Sequence, residues 1–176
     1  NALPDVLIIP MTSIAELTPM LALYFDEAFA QRCGRQAAVD RLAEYFLVLL
    51  LRHTVETKIL TTGILAGLAD ARLAKAITAM HERPEHVWSL EELAHTADMS
   101  RARFAVVFRE TVGTTPLDYL TDWRVSVAQT LLKSGKPLKL VAPAVGYSHP
   151  IALTRVFTKR MGLSPKAWLD ERKVVA

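Results

Sequence analysis

Two arginines, Arg101 and Arg103, follow Ser100 within three residues in the stretch SLEELAHTADMSRARF, residues 89–104. A guanidinium offers a fixed fork of donors and a permanent charge, which suits anionic and acceptor-rich partners. The residues around it say how it is presented. Ser89 with Glu92 three residues on forms a capping box, and Leu90, Leu93, Ala94 and Ala97 follow at helical spacing. Ser100 then caps a second helix whose apolar positions are Phe104, Val107 and Phe108. Two helices joined by so short a turn, with cations opening the second, describe a helix-turn-helix.

Other chemistry has no support in the chain. His53, His81, His86, His95 and His149 form no ligand-spaced cluster with Cys33 or with carboxylates, so neither a metal nor a cofactor is expected. No P-loop, GxSxG or HExxH pattern occurs, and nothing points to an enzyme. Cys33 is the single cysteine, so there is no disulfide framework, and a reducing, cytoplasmic setting is expected. The first residues lack the basic region of a signal peptide. The most apolar run, YFLVLLL at 45–51, is too short to span a bilayer. Its apolar breadth predicts burial in the core, with a homodimer seam as the alternative.

Charge is unevenly spread. The net charge is +3, yet residues 1–76 hold 7 basic and 8 acidic side chains. From Arg101 to the end there are 13 basic against 5 acidic, a net of +8. A polyanionic partner for the C-terminal part follows.

The fold class is predicted to be all-α, with a division near residue 75 marked by the charge shift: 1–75 as a helical linker or dimerisation region, 76–176 as the basic domain. A first helix starts at a cap built on Ser13 and Glu16 or on Thr18-Pro19, and runs to Gly34. A second covers about 36–57, TTGILAGLAD is a loop or one turn, and Asp70 caps a helix ending before Pro84. Helices then follow near 90–97, 101–112, 116–133, 138–145, 150–161 and 165–172, with Pro116, Pro150 and Pro165 at first positions. Pro143 falls inside one of them and is expected to kink or break it.

The basic half repeats itself. FAVVFRETVGTTP (104–116) aligns with LTRVFTKRMGLSP (153–165), so that Phe108 meets Phe157, Gly113 meets Gly162 and Pro116 meets Pro165. Upstream, Ala94, Ala97 and Met99 meet Ala142, Val145 and Tyr147, with one residue added in the second turn. The two motifs span about 90–112 and 138–161. Phe104, Phe108, Phe157, Trp123 and Tyr147 are expected in the core.

LEELAHTADMSRARF…VFRETVGTTPLDYLTDWRVSVAQTLL followed by VAPAVGYSHPIALTRVFTKRMGLSP resembles the paired helix-turn-helix domain of AraC/XylS-type bacterial transcription regulators, over about residues 75–170. ALPDVLIIP and the helices to about residue 70 are similar to the end of the cupin-type sensor region in part of that family. There a β-barrel precedes such helices, so the sequence reads as a fragment whose missing part lay N-terminal. The resemblance implies sequence-specific binding of double-stranded DNA, with RNA polymerase as a further partner and a homodimer through the N-terminal helices. It implies a small-molecule effector only on the sensor barrel.

In that family each second helix enters the major groove. By position this implies base reading by Ser100, Arg101, Ala102, Arg103 and Val106 in the first motif, and by His149, Pro150, Ile151, Thr154 and Arg155 in the second. Arginine reads guanine through O6 and N7, whereas Ile and Val meet only a thymine methyl or pack. Arg109, Arg124, Lys159, Arg160 and Lys166 are the expected phosphate contacts. The linking helix, 116–133, makes a rod of roughly 27 Å. That suits groove segments that recur about 34 Å apart on one side of a duplex. The chain departs from the family at Ala105-Val106 and Pro150-Ile151, where polar residues are common, and at Leu169, where arginine is. These apolar positions and Pro143 favour the alternative, a helical module whose basic face binds acidic proteins.

Overall fold

The computed structural model describes residues 8–57, 59 and 62–173. Among these residues the chain is helical, with no strand. It divides into two compact units, Asn1–Asp70 and Ala71–Ala176. The break thus falls between two helices, slightly before the charge shift near residue 75. No helix among the described residues is long and apolar enough to cross a membrane.

The first unit holds a 3-10 turn, Met11–Ser13, then α1 (Leu17–Phe29), α2 (Arg35–Glu56) and α3 (Ile64–Ala69). Ile14, Leu17, Met20 and Leu49 form its buried centre, flanked by Tyr24 and Phe46. Four details differ from the sequence expectation. Glu16 occupies the cap position of α1, in place of Ser13 or Thr18. The helix also ends at Phe29 rather than at Gly34. Arg32 folds back onto its last turn, pairing with Asp26 and Glu27 at 3.1 Å each. Residues 64–69 make a six-residue helix of their own where a loop or one turn was expected. The run 45–51 is only partly core: Leu49 is buried, whereas Tyr45, Leu47 and Val48 are exposed within this unit.

The second unit contains α4 (Ala71–Glu82), α5 (Leu90–Thr96), α6 (Arg101–Val112), α7 (Pro116–Lys133), α8 (Leu138–Ala144), α9 (Pro150–Met161) and α10 (Pro165–Lys173). The spine is α7. Thr115 Oγ1 accepts the Asp118 N–H at 3.2 Å, and Pro116 opens the helix where a missing donor costs nothing. Its N-terminal half faces the first motif: Phe108 meets Tyr119 edge-on at 5.8 Å, and Phe104, Phe108, Leu93, Ile77 and Leu120 are buried. Its C-terminal half supplies Val125, Ala128 and Leu132 to a second core with Val141, Leu153, Phe157 and Trp168. Trp123 and Tyr147 are only half buried, being set at the edges of these cores.

Pro143 does not break α8. It lies exposed in the last turn, and the helix ends one residue later at Ala144. The interruption falls where the helix stops anyway. The chain closes there through Val145 N–H to Val141 O and Gly146 N–H to Pro143 O, both 3.1 Å.

Where α4 meets α7, the His81 ring stacks on Trp123 with centroids 3.8 Å apart and shares a hydrogen bond with Tyr119 Oη at 2.5 Å. Burial lowers the His81 imidazole and pushes the Tyr119 phenol up to about 12. Both therefore stay neutral near pH 7, and the imidazole tautomer sets which of the two donates. Well above the ordinary imidazole value of 6.5, His81 is uncharged in both the folded and the unfolded state and the contact contributes fully. Below it the unfolded chain takes up a proton that folded His81 resists, so stability falls as the pH drops. Thermal unfolding followed from about pH 7.5 to about pH 5.5 is expected to show this loss, and His81→Phe, which keeps the stack, to reduce it. An identical pH dependence in the variant refutes the assignment.

Candidate nucleic-acid interface

The first motif is built from local bonds. Ser89 N–H donates to Glu92 Oε2 at 2.8 Å and Glu92 N–H to Ser89 Oγ at 3.1 Å, so the capping box is complete. After α5 the chain turns through Asp98, the only non-glycine with positive φ (+53°) among the described residues. The turn closes with Met99 N–H on Ala94 O at 2.9 Å, and Lys75 Nζ holds the Asp98 carboxylate at 2.6 Å. Ser100 Oγ then accepts the Arg103 N–H and starts α6.

The second motif repeats the device with other residues. Tyr147 N–H bonds Ala142 O at 2.9 Å, the counterpart of the Met99 bond. Gly146, with φ +80°, takes the place of Asp98. One extra residue brings the chain to His149, which has no side-chain capping bond, and α9 starts on Pro150. The second helix of each motif runs twelve residues and stops at a left-handed glycine, Gly113 or Gly162.

Buried and exposed positions alternate in the same way on both. On α6, Phe104 and Phe108 are buried, while Arg101, Ala102, Arg103, Val106 and Arg109 are exposed. On α9, Leu153 and Phe157 are buried, Ile151 and Arg155 are exposed, and Thr154 and Pro150 are half covered. Ser100 and His149 are exposed at the helix starts. Val106 is 55% and Ile151 75% accessible, so these apolar side chains are not core. Val106 also borders an open apolar hollow of about 300 Å³ shared with Leu90, Ala105 and Leu117. Lys159 and Lys166 are exposed, the latter near the start of α10, which Ser164 caps. Among the described residues, Arg101, Arg103, Arg109, Arg155, Lys159 and Lys166 make no side-chain ion pair or hydrogen bond.

Two expected phosphate contacts are otherwise engaged. Arg124 is half buried, with Nε donating to Pro84 O and Nη2 to His86 O, both at 2.7 Å. Its guanidinium is thus engaged by backbone carbonyls within the unit. Arg160 pairs with Asp118 at 2.6 Å and with Asp122 at 3.0 Å. Hydrogen bonds from Thr115 and Arg160 hold the Asp118 carboxyl below its usual range. The acids sit one helical turn apart on α7, a spacing visible in the sequence. Their partner, some forty residues away, is not.

Two helix-turn-helix motifs sharing one helix define a tandem module. A helix-turn-helix domain family model matches residues 93–171, and a cupin family model matches residues 1–56. A putative AraC-like transcription regulator of Streptomyces antibioticus is 36% identical over 167 residues, covering 93% of this chain and 55% of the relative. An uncharacterized HTH-type transcriptional regulator of Haemophilus influenzae is 34% identical over 151 residues, covering 85% and 51%. The DNA-binding domain of AdpA, a global transcriptional factor whose crystal structure is a complex with target DNA, is 33% identical. It aligns with a TM-score of 0.54 over 57% of this chain and 92% of that one. The chain belongs to the AraC-type family of helix-turn-helix proteins. It spans about half the length of the curated relatives it matches.

Two of the left-handed glycines differ in what a side chain would meet. A Cβ at Gly146 would lie 2.7 Å from Arg124 Nη2 and 2.9 Å from Glu85 O, whereas at Gly113 nothing stands within 4 Å. Gly113→Ala is expected to cost about 1–2 kcal/mol, the left-handed penalty alone. Gly146→Ala is expected to cost clearly more, because backbone at Glu85 must also move. Urea unfolding of both variants checks this, and equal losses contradict the contact.

Proposed function

We propose that the chain is the DNA-binding portion of a transcription regulator that reads two adjacent major-groove segments with α6 and α9. The observation that carries this reading is the duplicated pattern. Each reading helix buries its aromatic or aliphatic pair and leaves the same set of positions open, within a region of net charge +8. Exposed arginines at the helix starts suit guanine edges, and Ala102, Val106 and Ile151 suit thymine methyl groups. Ser100 and His149 at the caps and Thr154 within α9 are polar neighbours of these readers. Arg109, Lys159 and Lys166 are the cations left for phosphate.

The relatives are regulators by name, and the AdpA domain is bound to DNA in its crystal structure. Both support the reading. A cupin match and longer relatives support a small-molecule effector site on a sensor barrel of the whole protein. The exposed Leu23, Phe25, Phe29, Leu47 and Val48 of the first unit support a homodimer seam, and RNA polymerase is the partner a regulator at a promoter would meet. The competing reading, a basic face for acidic proteins, draws on exposed Val106 and Ile151.

Selection from a randomised duplex pool, followed by titration at several salt concentrations, separates the two. Binding that weakens steeply with salt and enriches defined sequences is expected. Arg155→Ala is expected to relax preference at one position, losing about 1–3 kcal/mol on the preferred site only. Lys166→Ala is expected to weaken all duplexes alike and to lower the salt slope by about one. No binding to any duplex at low salt overturns the proposal.

A further inference from the structure

The midpoint of α7 carries a contact that belongs to neither motif alone. Arg124 gives its two hydrogen bonds to Pro84 O and His86 O, in the segment joining α4 to α5. That segment is itself fixed. His86 N–H bonds Arg83 O at 3.2 Å, Trp88 N–H bonds His86 O at 2.9 Å, and Trp88 Nε1 donates to Arg83 O at 3.0 Å. Ser89 follows at once and caps the first motif. On its other side the Arg124 guanidinium lies 5.6 Å from the ring centroid of Tyr147, in the turn of the second motif. Neighbouring Gly146 approaches both the guanidinium and Glu85 O so closely that no Cβ would fit. The leading segment of one motif and the turn of the other are pressed together with Arg124 between them.

The two hydrophobic cores hold each motif to its own half of α7, and the Arg160 pair with Asp118 and Asp122 adds a tie from α9 to α7. A planar fork with two carbonyls on one side and a ring on the other has one geometry, which a flexible apolar contact lacks.

We infer that Arg124 is a positioning residue that fixes the angle between α6 and α9, and thereby sets the single spacing at which two base-pair segments are read. The spacing part rests on the DNA-binding reading above. The angle part does not. Two binding elements held rigidly gain affinity from each other only when the target matches their span, and a loosened pair gains less over a wider range.

The test uses the whole chain in a Cys33→Ser background with spin labels at Glu110→Cys on α6 and Thr158→Cys on α9, both exposed positions. Pulsed electron resonance without DNA is expected to give one narrow distance distribution. Arg124→Met is expected to broaden it, and Arg124→Lys, which reaches one carbonyl at a time, to broaden it less. If Arg124→Met fails to give a folded protein by circular dichroism, the lysine variant carries the comparison. Unchanged distributions in a folded variant overturn the inference.

A second arm uses the duplex selected above, with its two half-sites moved apart or together by one and two base pairs. The parent is expected to show a sharp optimum. Arg124→Met is expected to lose roughly tenfold or more at that optimum, to keep its half-site affinity, and to flatten the spacing profile. An equal loss on half-sites and full sites, with the optimum still sharp, also overturns it. If no duplex binds while the distances respond, the clamp stands and the DNA-binding reading is what fails.

Discussion

The constraint on which the second unit depends is that one uninterrupted helix must complete two cores at once. Each motif is too small to bury its own apolar side chains, so each borrows a face from α7. The N-terminal half offers Tyr119 and Leu120 to Phe108 and its neighbours, and the C-terminal half offers Val125, Ala128 and Leu132 to Leu153 and Phe157. Eighteen residues give five turns, enough for two such surfaces with the change-over at the middle. Arg124 sits at that change-over, against Tyr147 at the edge of the second core.

Electrostatics follow the same division. Arg101, Arg103 and Arg109 on α6 and Arg155 on α9 form no ion pair among the described residues, which leaves their charge available to a ligand. Arg124 and Arg160 are spent internally, one on carbonyls and one on carboxylates. A carbonyl-bound guanidinium under a ring recovers in hydrogen bonds what it loses in hydration. The carboxylates of Asp118 and Asp122 cancel charge near α9 while tying that helix to α7. Counting lysines and arginines therefore overstates the charge presented outward.

Much of this was legible because it is local. The Ser89-Glu92 box, Ser100, Pro116, Pro150 and the left-handed glycines each act within a turn of chain, and the helix limits they imply match the structure closely. Repetition supplied the rest of the motif reading, since an aligned Phe or Gly in both copies marks the same role. Failures came where distance along the chain mattered. Nothing near Arg124 in sequence says that Pro84 and His86 wait for it, and nothing near Arg160 announces Asp118. In the first unit, α1 ends at Phe29 and Arg32 turns back on Asp26 and Glu27, contacts that a search for glycine stops overlooks. Apolar composition alone misplaced Tyr45, Leu47 and Val48, because a broad apolar stripe is buried only where a second surface meets it. The base-contact set remains a reading of exposed positions, legible by alternation with Phe104, Phe108, Leu153 and Phe157.

That alternation has an evolutionary consequence. On α6 and α9 the side chains that hold the unit together and those that face outward occupy different positions of the same helix. Replacing an outward residue leaves the interior packing untouched, so such changes accumulate with little penalty in folding. Because the helix has been copied within the chain, one copy keeps a foothold while the other drifts. Under the proposed DNA-reading role the scaffold is re-addressable: new preferences arise by rewriting a few outward letters, one helix at a time, on an interior that stays the same.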